Sequence, residues 1–202
     1  MRAGMIALSV ALIAGPALAA DLPFAPPSPM VDAMSAKATK TAFSKTFSIG
    51  TWSAPFEDTP LTEVQKHFGG TIALQGDAGN AERWLCYDLP DSHQRLWLTA
   101  YEINGGRVAE VTMTQVTAPA QSPQCPVLPA GTKVNVDGLV ALGAAPAALT
   151  SKLGKPGLQK ADWAAWHREV PSGKDCTEDE SLAVRSDNGH IAYFTAYRTT
   201  SC

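Results

Sequence analysis

Six stretches of this 202-residue chain alternate apolar and polar positions and are rich in aromatic and β-branched residues. Arg83–Leu89, Arg95–Ile103 and Val108–Val116 form one group, and Trp163–Val170, Leu182–Ser186 and His190–Arg198 form a second. The period of two predicts strands. Each group follows a short segment of helical period. Leu61, Val64 and Phe68 share a face after Asp58-Thr59, which can cap a helix with Pro60 in its first turn, and Gly69 can end that helix in the left-handed conformation. Leu149 and Leu153 share a face after Pro146, Gly154 can stop the helix, and Pro156 forbids its return.

These landmarks recur in order. Gly69 and Gly154, Val64 and Leu149, and Phe68 and Leu153 are each 85 positions apart, and the Asn104-Gly105 and Asn188-Gly189 turns are 84 apart. Asn-Gly favours hairpins because both residues tolerate positive φ. The pattern predicts an α+β fold made of two tandem repeats of a helix packed on an antiparallel sheet, at 48–127 and 128–202. Alternation places Leu98, Ala100, Val111 and Met113, with Leu182, Val184, Phe194 and Ala196, on the face that receives the helices. The opposite face then carries Trp97, Thr99, Tyr101, Glu110, Thr112 and Thr114, together with Arg185, Tyr193, Thr195 and Tyr197.

Residues 1–19 read as a secretory signal peptide. Arg2 gives the charged start, Met5 to Ala14 the apolar centre, Gly15-Pro16 the break, and Ala17 and Ala19 the small residues before a cut at Ala20. The apolar stretch is shorter than the roughly 20 residues of a spanning helix, and no later segment reaches 18. A periplasmic or secreted chain with no membrane span is expected. Residues 20–47, with Pro23, Pro26, Pro27 and Pro29 and no visible period, are expected to form a flexible leader.

Export changes how the cysteines read. Cys86, Cys125, Cys176 and Cys202 are an even set without C-x-x-C, so structural disulfides are expected. Three pairings are possible, and the repeat favours Cys86–Cys125 and Cys176–Cys202, one disulfide per repeat. Composition narrows the function. A net charge of -3 with 17% charged residues lacks the basic excess of a nucleic-acid binder, and 45% hydrophobic residues argue against disorder.

Tandem helix-and-sheet units after a signal peptide, with Gly-ended helices, Asn-Gly hairpins and one cysteine pair each, resemble the β-lactamase-inhibitor-protein fold. They also resemble the unit of the small outer-membrane-assembly lipoproteins. The inhibitor resemblance implies a concave, aromatic-rich sheet surface and a hairpin of the first unit that offers an acidic residue to its partner. The matching hairpin is Asp88-Leu89-Pro90-Asp91-Ser92-His93, with Asp91 near its tip. Its proline departs from the inhibitors, and no cysteine follows the expected cut to carry a lipid, so only the idea of a protein-binding sheet carries over.

Chemistry is sparse. His67, His93, His167 and His190 fall in separate segments, and no H-E-x-x-H, G-x-S-x-G or P-loop occurs. No catalytic residue, metal or cofactor is expected, and the acidic run from Lys174 to Glu180 reads as a solvated loop. The expected function is a non-enzymatic module that engages another envelope or secreted protein through Trp97, Tyr101, Tyr193, Tyr197 and Asp91. The alternative is an enzyme or small-molecule binder with a pocket between the halves, using His93 or His167.

Overall fold

The computed structural model describes residues 24–29, 31–77, 79, 81–117 and 122–202. The expected signal peptide lies outside them. Strands β1 (Thr46–Ile49) and β2 (Trp52–Pro55) form a hairpin ahead of helix α1 (Leu61–Phe68). The chain continues through β3 (Ala73–Gln75), β4 (Glu82–Leu89), β5 (Gln94–Tyr101) and β6 (Val108–Gln115). After β7 (Val134–Val136) and helix α2 (Pro146–Leu153) come β8 (Leu158–Lys160), β9 (Trp163–Pro171), β10 (Thr177–Asp187) and β11 (His190–Ser201).

The fold is α+β, with two helices, two antiparallel sheets and two disulfides, Cys86–Cys125 and Cys176–Cys202. The large sheet has eight strands in the order β3-β4-β5-β6-β11-β10-β9-β8. Separate sheets for the two halves were expected, but β6 and β11 pair along Tyr193–Tyr197 and fuse them into one. The small sheet, β2-β1-β7, also crosses the expected boundary, because β1 pairs with β7 of the second half.

Both helices and the small sheet cover one face of the large sheet. Leu61, Val64, Leu149 and Leu153 share a core with Phe47, Ile49, Leu98, Val111, Met113, Leu182 and Phe194. All eight residues assigned to this face from alternation are buried in that core. The helix ends differ in detail from expectation. Pro60 precedes α1 with no side-chain cap, while the Thr59 hydroxyl donates to the Pro55 carbonyl at 2.8 Å. Gly69 (φ 72°, ψ -156°) and Gly154 (φ 82°, ψ -172°) end the helices in a region that is essentially reserved for glycine, rather than in the left-handed helical one.

The leader departs most from expectation. Its residues from Phe24 to Ala36 lie across the face opposite the helices, with Val31, Ala33 and Ala36 buried there, whereas Phe43 is buried in the core on the helix side. Phe24 and Ala25 pack on Trp84, Trp97 and the Cys86–Cys125 bridge, while Val31, Ala33 and Ala36 pack on Trp163, Ala165, Ala183 and Tyr193. Further along, the Thr39 amide donates to the His167 carbonyl at 2.7 Å. Gly157 lies so close to the backbone of Lys37 that a Cβ there would overlap it. A proline-rich segment loses less entropy on ordering than an ordinary one, and the sheet offers aromatic surface to cover.

The acidic run is not a loop either. Thr177–Glu180 belong to β10, and Glu180 is fully buried, accepting from the Phe43 amide at 3.0 Å and from Arg168 and Arg198. Burial pushes its carboxyl up, while the Phe43 amide and the two guanidinium groups pull it down.

Candidate binding cleft

Register and alternation bring the candidate side chains together at the seam of the large sheet. Glu110 of β6 lies opposite Tyr197 of β11, and Thr112 lies opposite Thr195. These residues point away from the helices, on the same face as Tyr101 of β5. Beside the short turn Ala33–Ser35 of the leader, a cleft of about 490 Å³ opens onto this seam. Tyr101, Glu110, Ser181, Thr195 and Tyr197 line it from the sheet, Asp32 and Met34 from the leader, and Ile103 from the turn after β5.

Glu110 organises the polar part. Its Oε2 accepts from the Tyr101 hydroxyl at 2.6 Å, and its Oε1 accepts from the Thr112 and Thr195 hydroxyls, both at 2.8 Å. Among the described residues it makes no ion pair. Tyr101 and Tyr197 meet edge to face with ring centroids 6.0 Å apart. Burial, and then the charge of Glu110, push the Tyr101 phenol up, so it stays a neutral donor.

Glu82, opposite Tyr101 in register, is also pushed up, first by burial and then by Glu110. A raised carboxylate binds its proton more tightly in the folded chain than in the unfolded one. Its contribution to stability is therefore full below the unfolded value and is lost as pH rises through the folded value. Glu82→Gln removes the charge, so the variant should melt above the parent at neutral pH, with the gap closing as pH falls through the raised folded value toward 4.5. Melting curves across that range check this, and a gap independent of pH would contradict it.

The expected binding residues fare unequally. Trp97 and Tyr193, read as free, are only 4% and 5% exposed because the leader covers them. The Trp97 indole donates to the Phe24 carbonyl at 2.8 Å and the Tyr193 hydroxyl to that of Pro27 at 3.2 Å. Thr99 and Thr112 are fully buried. Tyr101 and Tyr197 remain partly open and meet at the cleft. Asp91 is exposed in the turn Pro90–Ser92 at the hairpin tip, and His93 follows with left-handed φ of 51°.

Asp88 is not available to a ligand. It is fully buried in β4 and pairs with Arg95, whose Nε and Nη2 donate at 2.6 and 3.1 Å. The four histidines sit on four elements, α1, the hairpin, β9 and β11. His167 Nε2 lies 3.3 Å from Asp179 Oδ1, and with Glu169 these residues place three possible ligand atoms within 4.8 Å of one another. Glu169 is exposed and His167 is already paired with Asp179, an arrangement that an ion pair on the sheet surface also explains. Glu110 was visible as part of this face but not singled out. A lone carboxylate among hydroxyls and aromatics on a central strand was the signal for it.

No known protein family matches this chain, and no curated protein matches it. Among solved structures, it is similar to a candidate β-lactamase inhibitor protein from Streptococcus mutans. The two share 9% identity over 77% of this chain and 90% of that one, with a TM-score of 0.26. At that distance the likeness is loose and carries nothing about binding or activity.

Proposed function

We propose that this is an exported, non-enzymatic binding protein of the bacterial cell envelope, and that the cleft at the sheet seam is its recognition site. The observation that carries this reading is Glu110, a carboxylate held by three hydroxyls, without a counter-ion among the described residues, beside two tyrosine rings. Binding sites pair apolar and aromatic walls with a few fixed polar groups. The exposed hairpin around Asp91 has no aromatic residue of its own.

Export rests on the pattern of residues 1–19 and on the two disulfides, which persist in oxidising compartments. No helix among the described residues is long and apolar enough to cross a membrane. We also read the two halves as copies of one unit, joined edge to edge. Each runs helix, short edge strand and three longer strands, and each closes its own disulfide. In each, an aromatic of the second strand donates to the carbonyl of the helix-ending glycine, Tyr87 to Gly69 at 2.9 Å and Trp166 to Gly154 at 3.0 Å.

A panel of small envelope solutes and short peptides, screened by thermal shift on the exported chain and on Tyr197→Ala, tests the site. A ligand at about a hundredfold excess over its Kd should raise the melting temperature by roughly 5–10 °C. The variant should keep less than half of that rise. Equal stabilisation of parent and variant, or a panel without any stabilising compound, would overturn the cleft as the recognition site.

A further inference from the structure

We infer that the cleft selects an organic ammonium group, either on a free alkyl amine or at the end of a lysine side chain. The inference rests on the cleft being a binding site and adds the ligand's chemistry.

The two charged residues that line the cleft, Asp32 and Glu110, are both acidic. Glu110 is half-buried, and a carboxylate drawn out of water without a cation near it is costly. A bound cation offsets that cost and interacts more strongly in the partly dry cleft than it would in water. An anion would meet only repulsion.

The acceptor geometry narrows the cation. A carboxylate offers about four acceptor positions, two on each oxygen. Thr195 donates to Oε1 and Tyr101 to Oε2, while the one Thr112 proton is shared between Oε1 and the Thr195 hydroxyl, both at 2.8 Å, so Oε1 is crowded by two hydroxyls and Oε2 keeps an open position. An opening on Oε2 beside a crowded Oε1 suits the compact ammonium, a point donor, better than a guanidinium, whose paired donors use both oxygens. Tyr101 and Tyr197 line the same cleft with their rings edge to face, and a cation over a ring face gains further attraction. Met34 and Ile103, the latter 81% exposed, give the mouth apolar surface along which an alkyl stem can lie.

Calorimetric titration of the exported chain tests the inference with four probes: 1,5-diaminopentane, 1,5-pentanediol, N-acetyl-lysine amide and its ε-acetylated form. Each amine should bind at least tenfold more tightly than its neutral counterpart. Glu110→Gln should weaken the amines at least tenfold more than it weakens the neutral compounds, with melting curves confirming the fold. Asp32→Asn, at an exposed position, is the second variant and should weaken the amines about two- to threefold. Tighter binding of the lysine amide would assign the group to a peptide or protein, and tighter binding of the diamine to a free solute. If neutral compounds bind as well as the amines, cation selection is wrong while the cleft stands. If none of the four binds while other compounds in the broader panel do so through Tyr197, the cation inference alone fails. Should those also fail, the site reading falls with it.

Discussion

Asp88→Ala should lower the unfolding free energy by about 3–5 kcal/mol, because it strands a buried guanidinium. Asp88 is fully buried and Arg95 is 9% exposed, and the two meet through paired donors at 2.6 and 3.1 Å. Arg95 also lies 4.7 Å from the Phe24 ring centroid and 5.9 Å from that of Trp97, so the leader shields it from water on that side. Chemical denaturation at fixed slope measures the loss. The double variant Asp88→Leu with Arg95→Met should recover much of it, since apolar replacement of both partners leaves no charge stranded. A single-variant loss below about 1 kcal/mol would mean that Arg95 reaches water without its partner.

Opening the Cys86–Cys125 bridge by replacing both residues with alanine should cost about 4 kcal/mol in the chain-entropy account, for a separation of 39 residues. The same account gives about 3.5 kcal/mol for Cys176–Cys202, with a separation of 26. Packing widens the gap. Cys86 and Cys125 sit in a buried cluster with Trp84 and Trp97 beneath Phe24, whereas Cys202 is exposed at the chain's end. Removing the first bridge therefore also takes packing from under the leader, and the melting temperature should fall further than for the second. Equal falls would show that the cluster around Trp97 adds nothing beyond loop closure.

Much of the large sheet was legible because alternation over eight or more residues identifies a strand and its two faces. The six expected strands match β4, β5, β6, β9, β10 and β11. The main error lay in β10, where the charged residues Glu178, Asp179 and Glu180 hid a strand whose partners Arg168, His167 and Arg198 are remote in sequence. Strands β1, β2, β3, β7 and β8 are three or four residues long, too short to display a period.

The leader was illegible for a different reason. Its order comes from non-local contacts, such as that of Phe24 with Trp97, which lie 73 positions apart. Local composition with four prolines carries no trace of them. One signal was present: Trp97 and Tyr193 on a face without helices demand a cover, and Phe24 and Val31 were available in the leader. The same oversight made Trp97 and Tyr193 look free. Tyr101, Tyr197 and Glu110 were placed on their face correctly by alternation, but the leader that turns this patch into a cleft had to be seen folded.

The central claim is that the seam cleft is where this protein recognises its ligand. Amide chemical-shift mapping, with the compound that stabilises the exported chain most, tests it directly. The largest shifts should fall at Tyr101, Glu110, Thr195 and Tyr197, with those of Asp91, His93 and Gly131 unmoved. Shifts concentrated at the hairpin and the 129–133 loop would contradict it.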